Sequence, residues 1–384
     1  MQKKTKRNML IDVLRGFCIL SVILLHLNIK VPFKETFIGT LMPKKIYTLF
    51  FWSGYYGVII FFTLSGYLIT NSVIRKWGKL SQIKVRDFFV MRAARIMPLL
   101  FILILVLTVL HIMSVPGFII DKEKVSLGIV IFSAATFHIN LLQIKIGYLP
   151  ANWDVLWSIC IEGFFYLIFP FLCLIIRKKW HLAVLILIII LIAPWARIAL
   201  YPVNELGDRN YLAYMDSIGI GCIIALGLKR LKCWIEYDRI GLFLGASMLI
   251  LVLYFRGFLY QSGLVSSGLN VTILSLGTGL MIIWMHFRQD TLNHSRFWLL
   301  KMIGKMGRLS YEIYLTHIFI VIVLVDIYNR IQAPSESIYL LYITTVMLSS
   351  LLAKYVSKYI SKPLSNKIQN KFIYKRKPIC KLNQ

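Results

Sequence analysis

The residues of this chain that are best suited to chemistry are ionisable side chains inside otherwise apolar stretches. Arg15 and His26 lie in the first such stretch, eleven residues apart. In an α-helix this spacing returns both side chains to within about 20° of one face, with a rise of about 16 Å between them. A histidine is a good general base near neutral pH, and a guanidinium binds anions. The alternative is structural, with Arg15 paired to Asp12 and His26 hydrogen-bonded near the membrane surface.

A polar stripe marks another apolar stretch, in which Ser158, Glu162 and Tyr166 recur every four residues. This interval places all three side chains on one helix face. Because a carboxylate facing lipid is unfavourable, we expect Glu162 to face the interior of a helix bundle. There it would orient His26 and stabilise the imidazolium that forms when the ring takes a proton. A hydrogen bond that merely joins two helices is the alternative.

Arg92 and Arg95 lie one helical turn apart at the start of a third apolar stretch. Their planar guanidinium groups suit phosphate oxygens, and the first turn of a helix also favours anions. The pair therefore predicts a binding site for a phosphate-bearing molecule. Anchoring of the helix at the membrane surface is the alternative interpretation.

Several other polar side chains also fall within apolar stretches or beside them. Ser310, Tyr314 and His317 share one face of a late helix, where they would either line a cavity or bridge helices. Asp216 lies near one end of its stretch. We take as candidate substrate-binding residues Trp157, Ser158, Tyr166, Asp216, Tyr314 and His317.

Composition excludes a soluble protein. Of the 384 residues, 58% are hydrophobic and 16% are charged, and the mean hydropathy is +0.73; soluble domains carry roughly 25% charged residues. In a soluble protein, the net charge of +28 would suggest binding to nucleic acid. In a membrane protein it first indicates topology, because Lys and Arg collect on cytoplasmic loops. We therefore expect the partner to be a lipid bilayer and expect no nucleic-acid partner. The six cysteines include no Cys-x-x-Cys pair, and we predict no metal site.

The sequence predicts an all-α, polytopic membrane helix bundle of about ten transmembrane helices. Each predicted span is close to the roughly 20 residues that a bilayer requires. The spans cover residues 9–28, 50–72, 97–115, 155–176, 181–199, 211–228, 240–256, 270–287, 309–328 and 338–360.

A further apolar segment, 125–142, contains several polar residues. The distribution of Lys and Arg over the whole chain indicates whether this segment crosses the membrane. If it does not cross, 32 of the 44 Lys and Arg residues lie on the cytoplasmic side. We therefore expect both termini to be cytoplasmic and 116–154 to be an external region with a re-entrant or interfacial piece. The first span lacks a small-residue cleavage site and is expected to be a retained helix. Residues 1–362 would form the membrane domain and 363–384 a basic cytoplasmic tail near anionic lipid.

Five short motifs occur in an order that resembles the acyltransferase-3 family of integral-membrane acyltransferases. They are Asp12-x-x-Arg15-Gly16 followed by His26, Phe62-x-x-Ser65-Gly66-Tyr67, Arg92-x-x-Arg95-Ile96-x-Pro98, Trp157-Ser158-x-x-x-Glu162-x-x-x-Tyr166 and Ser310-Tyr311-x-x-Tyr314-x-x-His317. The family pattern usually reads Trp-Ser-Leu where this chain has Trp157-Ser158-Ile159. The resemblance implicates Arg15, His26 and the Arg92/Arg95 pair. Some members carry a C-terminal esterase-like domain. Here a short basic tail is expected in its place, so any second transfer step would need another protein.

The resemblance implies transfer of an acyl group, often acetyl, from acyl-CoA to a hydroxyl of a surface glycan or lipid-linked sugar. We therefore expect an O-acyltransferase of the bacterial cell (inner) membrane, with acetyl-CoA as donor. His26 would be the general base, assisted by Glu162, and an acyl-histidine intermediate is a variant. The rival interpretations are a transporter or flippase of a glycan intermediate, which would also need intramembrane charges, and an inactive scaffold.

Overall fold

The computed structural model describes residues 7–200, 206–228, 238–288 and 298–374. Within these ranges the chain forms helices joined by turns and short loops, and it contains no strand. The predicted all-α class is therefore confirmed. The part of the basic tail beyond residue 374 lies outside the described residues.

The first half of the chain contains four long helices with short helices between them. In order they are α1 (Met9–Lys30), α2 (Phe37–Leu41), α3 (Lys44–Phe51), α4 (Gly54–Trp77), α5 (Val85–Ile112), α6 (Leu127–Ala135), α7 (Ile139–Ile146), α8 (Asn152–Val155) and α9 (Trp157–Ile175).

The second half continues with longer helices and ends on a continuous helix that alternates between α and π geometry. These helices are α10 (Lys179–Ala199), α11 (Met215–Gly227), α12 (Asp238–Tyr254), α13 (Arg256–Gln261), α14 (Leu269–Phe287), α15 (Trp298–Arg308), α16 (Ser310–Arg330), α17 (Ile338–Val356) and α18 (Lys362–Gln369). Turns of π-helix at Ser357–Ser361 and Asn370–Tyr374 follow α17 and α18.

Eight helical stretches among the described residues are long and apolar enough to cross a membrane, so the chain is a multi-pass membrane protein. They are α1, α4, α5, α8 with α9, α10, α14, α16 and the stretch Ser335–Ile373. The remaining two of the ten predicted spans correspond to α11 and α12, of 13 and 17 residues. At 1.5 Å per residue α11 rises only about 20 Å, which is less than a hydrocarbon core of about 30 Å.

The segment 125–142 forms two short helices, α6 and α7, rather than one span. The chain turns sharply between them, where Phe137 has a φ of 61°. Helices of nine and eight residues cannot cross a bilayer alone. This arrangement agrees with the interpretation of 125–142 as a re-entrant or interfacial piece.

Close approaches between helices hold the framework that carries the candidate site. A methyl group at Gly307 of α15 would collide with the backbone oxygen of Asp12 in α1, and one at Gly66 of α4 would collide with that of Ile218 in α11. Only glycine lets these backbones come so near, as is common between membrane helices. The first contact places the start of α16 beside α1.

The last helix extends well past the length that a bilayer needs. The stretch Ser335–Ile373 has 39 residues, which is about 58 Å of helix and nearly twice the hydrocarbon thickness. Its end, α18, packs against α5. The boundary that we predict between residues 362 and 363 falls inside this stretch, where the structure has no break.

Candidate active site

A cavity among α1, α4, α5, α9 and α16 brings together most of the predicted site residues. We call it the central cavity; it holds about 830 Å³ of empty space, part of which is open to solvent. Among the predicted residues that line it are Arg15, Arg92, Arg95, Ser158, Glu162, Tyr166 and Tyr314. Five helices therefore contribute polar groups to one space in a largely apolar bundle.

Glu162 is held on this cavity wall by two hydroxyl groups. Ser65 Oγ donates to Oε1 at 2.5 Å, and the Tyr166 hydroxyl donates to Oε2 at 2.8 Å. Tyr166 is one turn along α9, as the four-residue interval predicts, whereas Ser65 belongs to α4. The carboxylate thus joins two helices while it also faces the cavity.

The guanidinium group of Arg92 lies between aromatic rings. Its central carbon is 5.6 Å from the centre of the Phe88 ring and 5.8 Å from that of Tyr166. Its Nε is buried and has no hydrogen-bond partner among the described residues. Arg95, one turn along α5, is exposed at the cavity edge. The pair faces a shared space, as the spacing predicts.

Arg15 pairs with a serine rather than with Asp12. Its Nη2 donates to Ser310 Oγ at 2.7 Å. Asp12 instead binds Arg7, with Nε 2.7 Å from Oδ2, and lies 3.7 Å from Arg308. The structural alternative for Arg15 is therefore not what the folded chain adopts, and the charge of Arg15 faces the cavity.

A second, more polar cavity adjoins the first where α1, α5 and α16 begin; we call it the vestibule. It holds about 1220 Å³ of empty space and shares Arg15, Arg92, Arg95 and Tyr311 with the central cavity. Its lining includes six cationic and two anionic side chains, which are Arg7, Arg15, Arg92, Arg95, Arg308, Lys362, Asp12 and Glu312. Such an excess of positive charge favours an anion. The motifs do not reveal Arg308 or Lys362, which lie in ordinary basic stretches.

His26 and His317 form a pair whose tautomers can be assigned from their hydrogen bonds. Nδ1 of His317 lies 2.9 Å from the Tyr314 carbonyl oxygen and 3.1 Å from that of Ile313. Since a carbonyl only accepts, this Nδ1 carries a proton and Nε2 is an acceptor. Nδ1 of His26 lies 2.8 Å from the Val22 oxygen, so it too carries a proton. Nε2 of His26 is then unprotonated and suited to act as a base.

The partner of His26 is thus a second histidine rather than Glu162. The two rings meet edge to face with their centres 4.9 Å apart, and neither lines either cavity. Tyr314 connects the two regions, because its hydroxyl lies 2.7 Å from Ser158 Oγ on the cavity wall and its ring is 6.2 Å from that of His317. The histidine pair therefore lies one helical turn from the cavity.

Trp157 is buried beside a polar cluster that no motif in the sequence predicts. The guanidinium of Arg209 lies 5.3 Å from the centre of the Trp157 ring and donates to Gln143 at 2.7 Å and to Asp154 at 3.1 Å. The only sequence signal for Arg209 is its nearness to the predicted start of a span at 211. Trp157 does not line the central cavity, although its neighbour Ser158 does.

Asp216 is completely buried and away from both cavities. Its two oxygens lie 2.8 Å from Arg197 Nη2, and Thr272 donates to it at 2.5 Å. These contacts link α10, α11 and α14. A buried charge needs such a partner, and a structural ion pair accounts for the position of Asp216 in an apolar stretch.

Comparisons with known proteins agree with the motifs. The model of the acyltransferase domain called Acyl_transf_3 matches residues 10–357. The chain belongs to the acyltransferase-3 family. Similar curated proteins include the O-acetyltransferase OatA of Staphylococcus aureus, with 25% identity over 90% of the chain and 55% of the relative. The peptidoglycan O-acetyltransferase OatA of Listeria monocytogenes is 27% identical over 80% of the chain and 48% of its own length.

This acyltransferase domain spans about half the length of the curated relatives that it matches. The putative peptidoglycan O-acetyltransferase YrhL of Bacillus subtilis, at 26% identity, is likewise covered over 53% of its length. No solved structure matches the chain significantly. Among the described residues, no group of three His, Cys, Asp or Glu side chains is placed to hold a metal ion.

Proposed function

We propose that this acyltransferase domain transfers an acetyl group from cytoplasmic acetyl-CoA to a hydroxyl of a surface glycan or a lipid-linked sugar. The observation that carries the proposal is the continuity of a cationic vestibule with a cavity that ends one turn from the His26 pair. Relatives named peptidoglycan O-acetyltransferases make peptidoglycan the first acceptor to test. The location would be the inner membrane of a bacterial cell, with both termini in the cytoplasm.

The arginines of the vestibule would bind the acyl donor. Phosphate groups of acetyl-CoA would bind in the vestibule to Arg92, Arg95 and Arg15, whose guanidinium groups form strong, directional hydrogen bonds with phosphate oxygens. The thioester would then extend into the central cavity toward Tyr314 and Ser158. The buried Nε of Arg92, which lacks a partner among the described residues, supports this placement.

The proton is transferred at His26. Its Nε2 takes the proton of the acceptor hydroxyl while that oxygen attacks the carbonyl carbon of the thioester. The carbon–sulfur bond breaks, and the departing thiolate of CoA receives the proton from His26. In the acyl-histidine variant, the unprotonated Nε2 attacks the thioester first and expels the CoA thiolate. The acceptor oxygen then attacks the acyl carbon, the bond to Nε2 breaks, and the hydroxyl proton passes to the thiolate. The carboxylate of Glu162 would act from the cavity wall, by balancing the arginine charges near the reacting groups.

Release of free CoA tests the proposal directly. Protein purified in detergent would be given acetyl-CoA and a peptidoglycan fragment, and both the free thiol and the mass of the fragment would be measured. We expect release with the wild type and none with His26→Ala, while the control His181→Ala, at an exposed position, keeps full activity. Near-normal release by His26→Ala would refute His26 as the base. Transport of a labelled glycan by the protein in liposomes, without CoA release, would favour the transporter alternative.

A further inference from the structure

The carboxyl-terminal end of the long last helix forms one wall of the vestibule. Ser357, Ser361 and Ser365 recur every four residues, and Lys362 and Asn366 form the neighbouring row on the same side. All five line the vestibule. The family match ends at residue 357, so most of this wall lies outside the region that the family model describes.

One hydroxyl on this wall has an unmet hydrogen-bonding capacity. Ser361 is only 8% exposed, and its Oγ has no hydrogen-bond partner in the described part of the chain. A buried polar atom without a partner is unfavourable. A ligand in the vestibule that presented an acceptor oxygen to Ser361 would offset this cost.

The charges that face the vestibule point to an anion with more than one negative charge. Asp12 is already engaged by Arg7 and Arg308. Four cations are left without a carboxylate within salt-bridge distance among the described residues, and these are Arg15, Arg92, Arg95 and Lys362. Phosphate groups match both these cations and the hydroxyl of Ser361, because each phosphate offers several acceptor oxygens.

We infer that Ser361 and Lys362 bind the phosphate groups of the acyl donor together with Arg92 and Arg95, which line the same vestibule. The inference rests on the proposed function, since it takes coenzyme A as the carrier of these phosphates. The headgroup of an anionic phospholipid offers the same chemistry and is the alternative source. The π-helical turn at Ser357–Ser361, directly before Lys362, is of a kind that is frequent at functional sites.

Titration calorimetry with coenzyme A itself tests the assignment in the 384-residue chain, purified in a non-ionic detergent. We expect Lys362→Gln to weaken the affinity about fivefold, since an exposed lysine contributes less than a buried one. Ser361→Ala should weaken it about threefold to tenfold while leaving the unfolding temperature of the ligand-free protein unchanged or raised, because the hydroxyl has no partner there. Lys367→Gln is the matched control, on the same helix, exposed and outside the vestibule. Equal affinity of all four proteins would overturn the inference.

Titration in nanodiscs distinguishes coenzyme A from an anionic phospholipid as the source of the bound phosphate. The titration would be repeated in discs of phosphatidylcholine alone and in discs with added phosphatidylglycerol. A defect of Lys362→Gln that is present in both supports a donor site. A defect limited to binding of phosphatidylglycerol, with unchanged affinity for coenzyme A, assigns the wall to lipid and overturns the inference. If coenzyme A binds through Lys362 but no acetyl group is transferred, the proposed function fails while the phosphate site stands.

Discussion

Nε2 of His317 lies 3.3 Å from Nδ1 of His26, and the two ring planes are inclined at 68°. Nδ1 of His26 carries a proton, which is shared between His317 and the Val22 carbonyl oxygen. When Nε2 of His26 takes a second proton, the ring becomes cationic and the hydrogen bond from its Nδ1 to His317 strengthens. His317 is thereby positioned to stabilise the imidazolium, a role that a carboxylate has in many triads.

Replacing His317 tests this positioning role. His317→Leu removes the acceptor at similar volume, and we expect kcat to fall at least tenfold while the KM for acetyl-CoA stays within twofold, because His317 is outside the vestibule. His317→Gln retains an acceptor oxygen and should recover part of the rate. His181→Leu serves as the exposed control, and an unchanged kcat in His317→Leu would remove His317 from the mechanism.

Variants of Glu162 distinguish a role of its charge in turnover from a role in joining α4 to α9. Glu162→Gln keeps the shape of the side chain but removes its charge, and we expect turnover to fall more than tenfold. Tyr166→Phe removes only one hydrogen bond to a charged group, so we expect it to lower the free energy of unfolding by about 1.5–3 kcal/mol. Its loss of turnover should be smaller than that of Glu162→Gln. Both are measured as turnover and thermal unfolding in detergent, with the exposed Tyr260→Phe as control. Full turnover of Glu162→Gln would mean that the carboxylate only joins α4 and α9.

Arg92 should be sensitive even to a change that keeps its charge. Arg92→Lys loses the planar group that lies against Phe88 and Tyr166, so we expect the KM for acetyl-CoA to rise at least fivefold. Arg86→Lys, at an exposed position on the same helix and outside both cavities, should leave the KM unchanged. An unchanged KM for both variants would support the alternative that Arg92 only anchors α5.

The buried pair of Arg197 and Asp216 should determine stability rather than substrate binding. Asp216→Leu leaves Arg197 buried without its carboxylate, which costs about 3–5 kcal/mol, and we expect poor yield and a lower unfolding temperature. The double variant Arg197→Leu/Asp216→Leu removes both charges and should regain much of the loss. If the double variant is stable but shows a KM for the acceptor raised tenfold, Asp216 binds substrate after all.

Much of the helical framework could be predicted from the sequence, because the bilayer imposes a length and a polarity on each span. The stretches that became α1, α4, α5, α9 and α16 are recognisable from apolar runs alone. Periodicity also placed Glu162 and Tyr166 on one face of α9, where they are hydrogen-bonded. Local signals of this kind depend only on the geometry of one helix.

The length of α11 was not predictable in the same way. The apolar run at 211–228 is long enough for a span, but its first residues adopt turns in which Asn210 binds its own neighbours and the carbonyl oxygen of Ala196. These hydrogen bonds satisfy backbone and side-chain groups that would otherwise require a longer helix. Hydropathy measures apolar content and carries no information about such contacts.

What the sequence alone determined about this protein is its class, its motifs and the helix faces that carry its charges. Only the tertiary structure decided the partners: His317 for His26, Ser65 for Glu162, and Ser310 for Arg15. The physical reason is that periodicity gives the direction of a side chain from its own helix axis. Which group lies opposite depends on close helix contacts such as that at Gly307, and these form between segments far apart in the chain.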